Sequence, residues 1–428
     1  MTVVPTAGAG DAAGAQQPRR RIKRRLPRWG EIAPMVFSGP PELDATARRL
    51  AAAHDVEDLR RIARRRTPAS VFDYVDGAAE TESADRRNVD AFGRVEFVPQ
   101  VLRDVSSVDP SVRILGKPAA MPLIFAPTGF TRMMHHEGEI AVARVAERVG
   151  VPYAISTMGT TSPEDVAAAA PGSDRWFQLY MWRDRSASQE LMARAEDAGY
   201  TTLVLTVDVP VAGARLRDLR SGMTLPPSLN ARSFAGIARH PHWWINVLTR
   251  DPLKFAALEG GAGQFMELTD RILDPSVTSR DLDWLRQTWR GRIVVKGVLS
   301  VEGARDIVDR GVDAIVVSNH GGRQLDRAVA PLDVLPDMRS ALQRDAEIYL
   351  DGGVRSGTDV AAAVALGADA VMIGRPYLYG LMAGGARRTA GVRPLPAGFH
   401  PHPGPPGGWF GGRRGPSPPA PPDGTWLS

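Results

Sequence analysis

The chain contains no cysteine. Disulfides, thiolate metal sites, iron–sulfur ligation and a cysteine nucleophile are thereby excluded, and no metal is expected. No apolar run approaches the ~18–20 residues that a membrane-spanning helix requires. No apolar stretch follows the basic run Arg19–Arg25, so the sequence predicts neither a secretory nor a twin-arginine signal. Acidic residues are scarce at both ends. Residues 1–30 hold seven Lys/Arg against Asp11, and residues 386–428 hold five Arg against Asp423. Those ends carry twelve of the 53 basic and two of the 48 acidic residues, which leaves the stretch between them net −5. The pI of 9.7 is therefore a property of the ends. An acidic body with no stacking platform argues against a nucleic-acid partner.

Three segments follow from composition. Residues 1–42 read as a basic, largely disordered arm, either simply solvated or in contact with anionic lipid headgroups. From Ala386 to Ser428, 11 of 43 residues are Pro and 9 are Gly. This is either a disordered tail or a C-terminus translated out of frame in place of a helix. Between them, residues 43–385 repeat one pattern: a short apolar run, then an Ala-rich helical stretch. The runs are Pro122–Pro127, Pro152–Ser156, Trp176–Met181, Thr202–Asp208, Arg292–Gly297, Ala314–Asn319, Glu347–Gly352 and Ala370–Gly374. Near-continuous apolar strands alternating with helices imply a parallel sheet covered by helices. Eight such units in about 260 residues predict a (β/α)8 TIM barrel; the alternative doubly wound sheet lacks its usual GxGxxG. The connection 209–291 is too long for a plain loop and reads as a lid or interaction segment. Its aromatic cluster Pro241–Ile245 is either a small internal core or a membrane-facing patch.

Barrel enzymes carry their sites at the C-terminal ends of the strands. Polar residues closing apolar strands are thus the candidates: Ser156, Gln178 and Tyr180, Thr206 and Asp208, Lys296, Ser318 and His320, Asp351, and Arg375. The glycines around Asp351–Gly357 and Gly374-Arg375, with Arg355, predict an anion cradle for a phosphate-bearing ligand; flavins, nucleotides and sugar phosphates all qualify. His320 and Arg323 bring a base and a carboxylate anchor to one strand end, with Asp208 placed to pair with the imidazolium. Lys296 is either a Schiff-base lysine or a cation beside an electron-rich cofactor.

The segments SNHGGRQLD, LTVDVP, VVKGV, LDGGVRSGTDV and IGRP, in this order, resemble the FMN-dependent α-hydroxy-acid oxidases and dehydrogenases. The resemblance runs from about Leu59 to Gly385 and the first block is highly specific. RRIARRRTP, FDYVDGAAE, APTGFTRMMHHEGE, WFQLYMWRDR and VDVPVAGARLRD look most like actinobacterial L-lactate dehydrogenases of the quinone- or cytochrome-reducing kind. The resemblance implies His320 as the base, Asp208 stabilising its protonated form, and Tyr180 donating toward the substrate hydroxyl oxygen. It implies Tyr74, Arg215 and Arg323 as substrate-carboxylate residues. For FMN it implies Lys296 near N1 and the C2 carbonyl, and Ser156, Gln178, Thr206 and Pro127-Thr128-Gly129 against the ring. Ser318 joins that set, and Asp351, Gly353, Arg355, Gly374 and Arg375 would hold ribityl and phosphate groups.

The activity so implied is oxidation of an L-2-hydroxy acid, with L-lactate foremost, to the 2-oxo acid. Electrons would pass to a quinone or another carrier. An oxygen-using oxidase and a non-catalytic remnant are the alternatives. A homo-oligomer of tetrameric type and a cytoplasmic location, peripheral to the membrane, are also implied. Three departures stand out. Met158 occupies a position where plant-type glycolate oxidases carry Trp, which disfavours glycolate. Ala78 in DGAAE threatens a turn that many members make with Gly. Finally, the break after Gly385 implies a barrel lacking its normal last helix, with bare outer faces on its first and last strands and poor solubility or FMN retention.

Overall fold

The computed structural model describes residues 25–36, 43–102, 104–222, 238–250, 253, 274–387 and 412–414. The chain divides into two units, Met1–Ala47 and Arg48–Ser428. Most of the predicted arm lies outside the described residues. In the first unit a helix spans Trp29–Val36, and Arg25 pairs with Glu31 at 2.8 Å. Leu26, Trp29 and Met35 are exposed there.

The second unit is organised by eight strands: β1 (Leu123–Phe125), β2 (Tyr153–Ser156), β3 (Arg175–Leu179), β4 (Thr202–Thr206), β5 (Arg292–Val298), β6 (Ala314–Val317), β7 (Glu347–Leu350) and β8 (Ala370–Ile373). They close into a parallel barrel in which β8 pairs with β1. Each predicted run supplies one strand, so the expected (β/α)8 barrel is the fold. Side chains alternate between two packed layers. Ile124, Trp176, Val204, Val316, Tyr349 and Met372 fill the interior, while Leu123, Phe125, Phe177, Leu205, Val317 and Ile373 pack outward under the helices. A small hairpin, Val112–Ile114 with Lys117–Ala119, buries Ile114 in the interior layer. Leu115 N–H on Glu347 and Lys117 on Asp174 and Thr201 fix this hairpin across the N-terminal strand ends.

Polar caps start the crossover helices. Ser162, Asp184, Ser300 and Ser356 each accept a backbone N–H of the first helical turn, and Ser356 forms a reciprocal capping box with Asp359. Each sits shortly after a strand, so the turns after β2, β3, β5 and β7 end at a defined place.

The expectation of a barrel with bare outer faces is corrected. A ten-residue helix, Arg375–Gly384, follows β8 directly and packs on the helix Val56–Arg66. Tyr377 meets the Phe125 ring at 5.3 Å and donates to Ala126 C=O at 2.8 Å. Leu123, Phe125, Val371 and Ile373 are all buried. The apolar run PYLYGLMAG, the last orderly sequence before the break, is itself the cover. Most of the tail, residues 388–411 and 415–428, lies outside the described residues; Gly412–Arg414 pairs antiparallel with Val95–Phe97. Ala78 causes no strain: the left-handed positions of its turn are Glu80 (φ 44°) and Glu82 (φ 61°).

Of the long connection after β4, the described parts include the helices Leu216–Ser221, Pro241–Leu248 and Arg280–Thr288. Trp243 packs against the core and its indole N–H donates to Met133 C=O at 2.8 Å. That half of the aromatic cluster is internal packing, whereas Ile245 is exposed.

Candidate active site

A cavity of about 390 Å³ opens at the C-terminal strand ends. It is lined by Tyr74, Tyr180, Arg215, Lys296, His320 and Arg323 on its polar side. Pro127, Thr128, Gly129, Ser156, Thr206, Asp351, Gly353, Arg355, Gly374 and Arg375 also line it. Gln178, Asp208 and Ser318 sit behind that surface, each bonded to a residue that reaches it.

His320 follows β6 in a left-handed conformation (φ 56°) that few non-glycine residues adopt. Its backbone N–H donates to Ser318 Oγ at 3.0 Å, and Nδ1 lies 2.8 Å from Asp208 Oδ1. Asp208 is held to the dyad by a β-bulge in β5. Gly297 has φ 109°, and a Cβ there would stand 2.6 Å from Asp208 Cβ, so only glycine lets the two backbones meet. Lys296, one residue earlier, donates to Ser318 Oγ (2.9 Å) and pairs with Asp351 (2.8 Å) and Asp208 (3.9 Å). Burial alone would lower the Lys296 pKa, but the Asp351 and Asp208 carboxylates outweigh it and raise the value. For Asp208 the balance is reversed: burial would raise its pKa, and the interaction with His320 and the Lys296 charge bring it below the usual carboxylate range. Both groups are therefore charged at neutral pH. A lysine held charged in this way is a poor Schiff-base nucleophile, which favours the reading of Lys296 as a fixed cation.

The opposite wall gathers cations. Tyr74, on the helix Ala69–Asp76, lies between two guanidinium groups, with Arg215 and Arg323 each 5.2 Å from its ring centroid. Arg323 is held by the carbonyls of Tyr74 and Gly77, both at 2.8 Å. Burial, then the nearby charges of Arg215 and Arg375, lowers its pKa to about 10. Two half-buried arginines that repel each other form a strong receptor for an anion. Tyr180 stays a hydroxyl donor, since burial and the Asp208 charge push its pKa up.

The strand ends of β7 and β8 form the predicted cradle. Gly353 has φ 87°, and a Cβ there would lie 2.2 Å from Asn88 C=O on the helix Ser83–Phe92. Arg355 lines the cavity, with its Nη1 on Val354 C=O. Arg375 differs from expectation. Its guanidinium is committed to the carbonyls of Val75, Gly77 and Gly321 and to Asp85, so the side chain clamps three segments together. What it leaves for an anion is backbone: the helix Arg375–Gly384 starts here, and its first N–H groups have no intrahelical partner.

Several contributors were given no role by the sequence reading, although Asn319, Asp326, Phe130 and Met134 lie inside its motifs. Asn88 and Asn319 exchange two side-chain hydrogen bonds at 2.8 and 2.7 Å and fix the turn leading to His320. Asp326, the acid of SNHGGRQLD, accepts from Ser83 Oγ and Ala84 N–H and so braces that turn against the next helix. Met134 and Phe130 complete the apolar wall beside Met158.

A closed barrel with a histidine–carboxylate pair, paired arginines and an anion cradle at the same strand ends defines a cofactor-using enzyme of small anionic substrates. The chain belongs to the FMN-dependent dehydrogenase family, whose sequence model matches residues 63–394. It is 50% identical over 364 residues to a "Putative L-lactate dehydrogenase" of Mycobacterium tuberculosis, covering 85% of this chain and 88% of that protein. It is 43% identical over 345 residues to the L-lactate dehydrogenase of Caulobacter vibrioides, covering 79% and 89%. The solved structure of the monotopic membrane protein (S)-mandelate dehydrogenase matches with a TM-score of 0.76 and 37% identity, over 79% of this chain and 91% of that one.

The residues present fit FMN. Gln178 Nε2, Thr206 Oγ1 and Asp351 Oδ1 are buried and have no hydrogen-bond partner among the described residues. Buried polar groups are rarely left so. Gln178 Oε1 is already engaged by Ser156 Oγ and Thr157 N–H, which leaves Nε2 as a donor toward a ring acceptor. Donors and acceptors at the barrel mouth, beside an anion cradle, match a ring system with a phosphate tail.

Proposed function

We propose that this enzyme oxidises an L-2-hydroxy acid, L-lactate foremost, to the 2-oxo acid and passes the electrons to a quinone or another carrier. The observation that carries the reading is the meeting of the His320–Asp208 pair and the Arg215–Arg323 pair on one cavity. FMN, when bound, accepts the two electrons. Arg323 and Arg215, with Tyr74 between them, hold the substrate carboxylate. Tyr180 donates to the substrate oxygen at C2. His320 has Nδ1 engaged by Asp208, so Nε2 is the atom that takes the proton, and the Asp208 charge stabilises the imidazolium that results. Lys296 keeps a fixed positive charge on the cofactor side, where the reduced ring would carry negative charge. Ser156, Gln178, Thr206, Ser318 and the Pro127-Thr128-Gly129 backbone serve the ring, and Asp351, Gly353, Arg355, Gly374 and the Arg375 N–H serve the ribityl phosphate.

We assign the chain a basic arm (1–42), a barrel (43–385) with its long connection (209–291) and a Pro/Gly tail (386–428). We also propose a homo-oligomer located peripherally on the inner face of the membrane. No described helix is long and apolar enough to cross a membrane. Exposed Leu26, Trp29 and Met35 beside the basic run support contact with anionic lipid, read as binding to anionic but not neutral liposomes. Anaerobic mixing of the flavoprotein with L-lactate, D-lactate, L-mandelate and glycolate tests the reaction. Bleaching of the flavin by L-lactate is expected, and no bleaching by any of the four overturns the proposal. Peroxide formed in air at the rate of turnover would identify an oxygen-using oxidase instead.

A further inference from the structure

We infer that Arg217 is a positioning residue for substrate binding: it bolts the helix that carries Arg215 to the helix that carries Tyr74 and thereby aims the Arg215 guanidinium. This rests on the proposed role of Tyr74, Arg215 and Arg323 in holding the substrate carboxylate. Arg217 is not among the residues that line the cavity. Its Nη1 lies 2.5 Å from Asp76 Oδ2 and 3.9 Å from Asp73, and its Nη2 donates to Glu82. One fork thus spans the C-terminal turn of the helix Ala69–Asp76 and the N-cap of the helix Ser83–Phe92.

The segment that Arg217 secures has little else to hold it. Arg215 is the N-cap of Leu216–Ser221, a helix of six residues, far below the length that sustains itself. Within that segment the Arg215 guanidinium has one polar contact, Asp218 at 3.4 Å, besides the Tyr74 face. Asp218 is buried and its other oxygen has no partner among the described residues, so this contact does not fix the fork. By contrast the acceptors of Arg217 are anchored. Asp76 also receives Arg60 and the Tyr379 hydroxyl, and Glu82 accepts Ala78 N–H at 3.1 Å. Two backbone bonds run in parallel with the bolt: Glu80 N–H on Ala214 C=O (2.8 Å) and Ala79 N–H on Gly322 C=O (2.9 Å). The stretch 74–82 is therefore the common frame of Tyr74, Arg215 and Arg323, and, apart from the Arg215 contact with the Tyr74 ring, Arg217 makes the only side-chain hydrogen bonds and ion pairs from the Arg215 helix to it among the described residues. A displacement near 1 Å of a substrate-holding group can cost ~10²-fold, so loosening this tie weakens binding before it touches chemistry.

The test compares Arg217→Met and Arg217→Lys in the FMN-loaded enzyme. Two quantities are read: steady-state oxidation of L-lactate with an artificial acceptor, and binding of oxalate followed by FMN absorbance. Arg217→Met should raise the KM for L-lactate and the Kd for oxalate about tenfold, with kcat within about threefold and FMN content unchanged. Arg217→Lys should recover most of that loss. In an Arg215→Met background, Arg217→Met should add nothing, because its effect is transmitted through Arg215. Unchanged KM and Kd, an additive effect on the Arg215→Met background, or parallel loss of FMN and kcat would each overturn the inference. Should Arg217→Met not fold, Glu82→Gln removes half the fork and should give a smaller rise of the same kind. A wild-type enzyme that binds oxalate but oxidises no hydroxy acid sinks the proposed function alone, and the oxalate readout still decides this one.

Discussion

At the scale of single residues the site is a set of charges whose partners decide their work. His320 is presented by a strained backbone position and tethered through Nδ1, so the imidazole is pre-aimed with one nitrogen free for the substrate. His320→Gln should keep FMN bound and slow anaerobic flavin reduction by L-lactate by about 10²–10⁴-fold, the usual contribution of a general base. Stopped-flow absorbance measures it, and a loss under tenfold would remove His320 from that role. Lys296 makes a different prediction. It is buried against Asp351 and Asp208, so Lys296→Met takes the lysine charge away from both carboxylates. Breaking a buried pair costs about 3–5 kcal/mol, and denaturant unfolding of the apoprotein should show a loss of that order. The polar strand ends were legible in the sequence because a polar residue closing an apolar run has no packing reason to be there. The clamp made by Arg375 was not, since three of its four acceptors are backbone carbonyls, of Val75, Gly77 and Gly321, and carbonyls leave no mark on residue type.

Among the elements, the eight barrel strands were legible because parallel strands buried on both faces must be apolar throughout. The floor hairpin was not: three-residue strands carry no period. The last helix escapes the sequence pattern for a physical reason. PYLYGLMAG has no polar face because it is buried all round, so its sequence shows no amphipathic stripe to separate it from the strand before it. Asp76 shows what joins such elements. It takes Arg60 from the helix Val56–Arg66, Arg217 from beyond β4 and the Tyr379 hydroxyl from the last helix. Burial alone would raise its pKa, but the hydrogen bonds from Arg60 and Tyr379 and the flanking charges hold it far below the usual range. A depressed carboxylate contributes stability that is present above its unfolded value of ~3.9 and fades as pH falls through the folded one. Asp76→Asn should therefore cost about 2 kcal/mol at pH 7, discounted for the partly exposed arginines, and the gap to wild type should narrow below pH ~4. Urea midpoints at pH 7, 5 and 3 measure this; a gap that widened on acidification would contradict the assignment.

Over the whole molecule, charge and packing separate the body from its ends. The stretch 31–385 is net acidic, and the cations that matter in it are few and aimed inward: Arg215, Lys296, Arg323 and Arg355. The basic, Pro- and Gly-rich ends lie largely beyond the described residues. The outer faces of β1 and β8 are covered by Arg375–Gly384, and that helix is in turn held by Val56–Arg66 and by the Tyr377 and Tyr379 hydroxyls. At ~25 cal/mol per Å², exposing those faces would cost several kcal/mol, a large share of a typical stability of ~5–15 kcal/mol. Among the described residues, a chain that ended after Arg387 keeps every one of these contacts and loses only the pairing of Gly412–Arg414 with Val95–Phe97. It should fold, remain monodisperse and hold as much FMN as the full chain, with Tm lower by no more than a few degrees. If the shortened chain instead aggregates or loses its flavin, the tail is part of the barrel's cover, and Tyr377 and its helix do not close the outer faces of β1 and β8 by themselves.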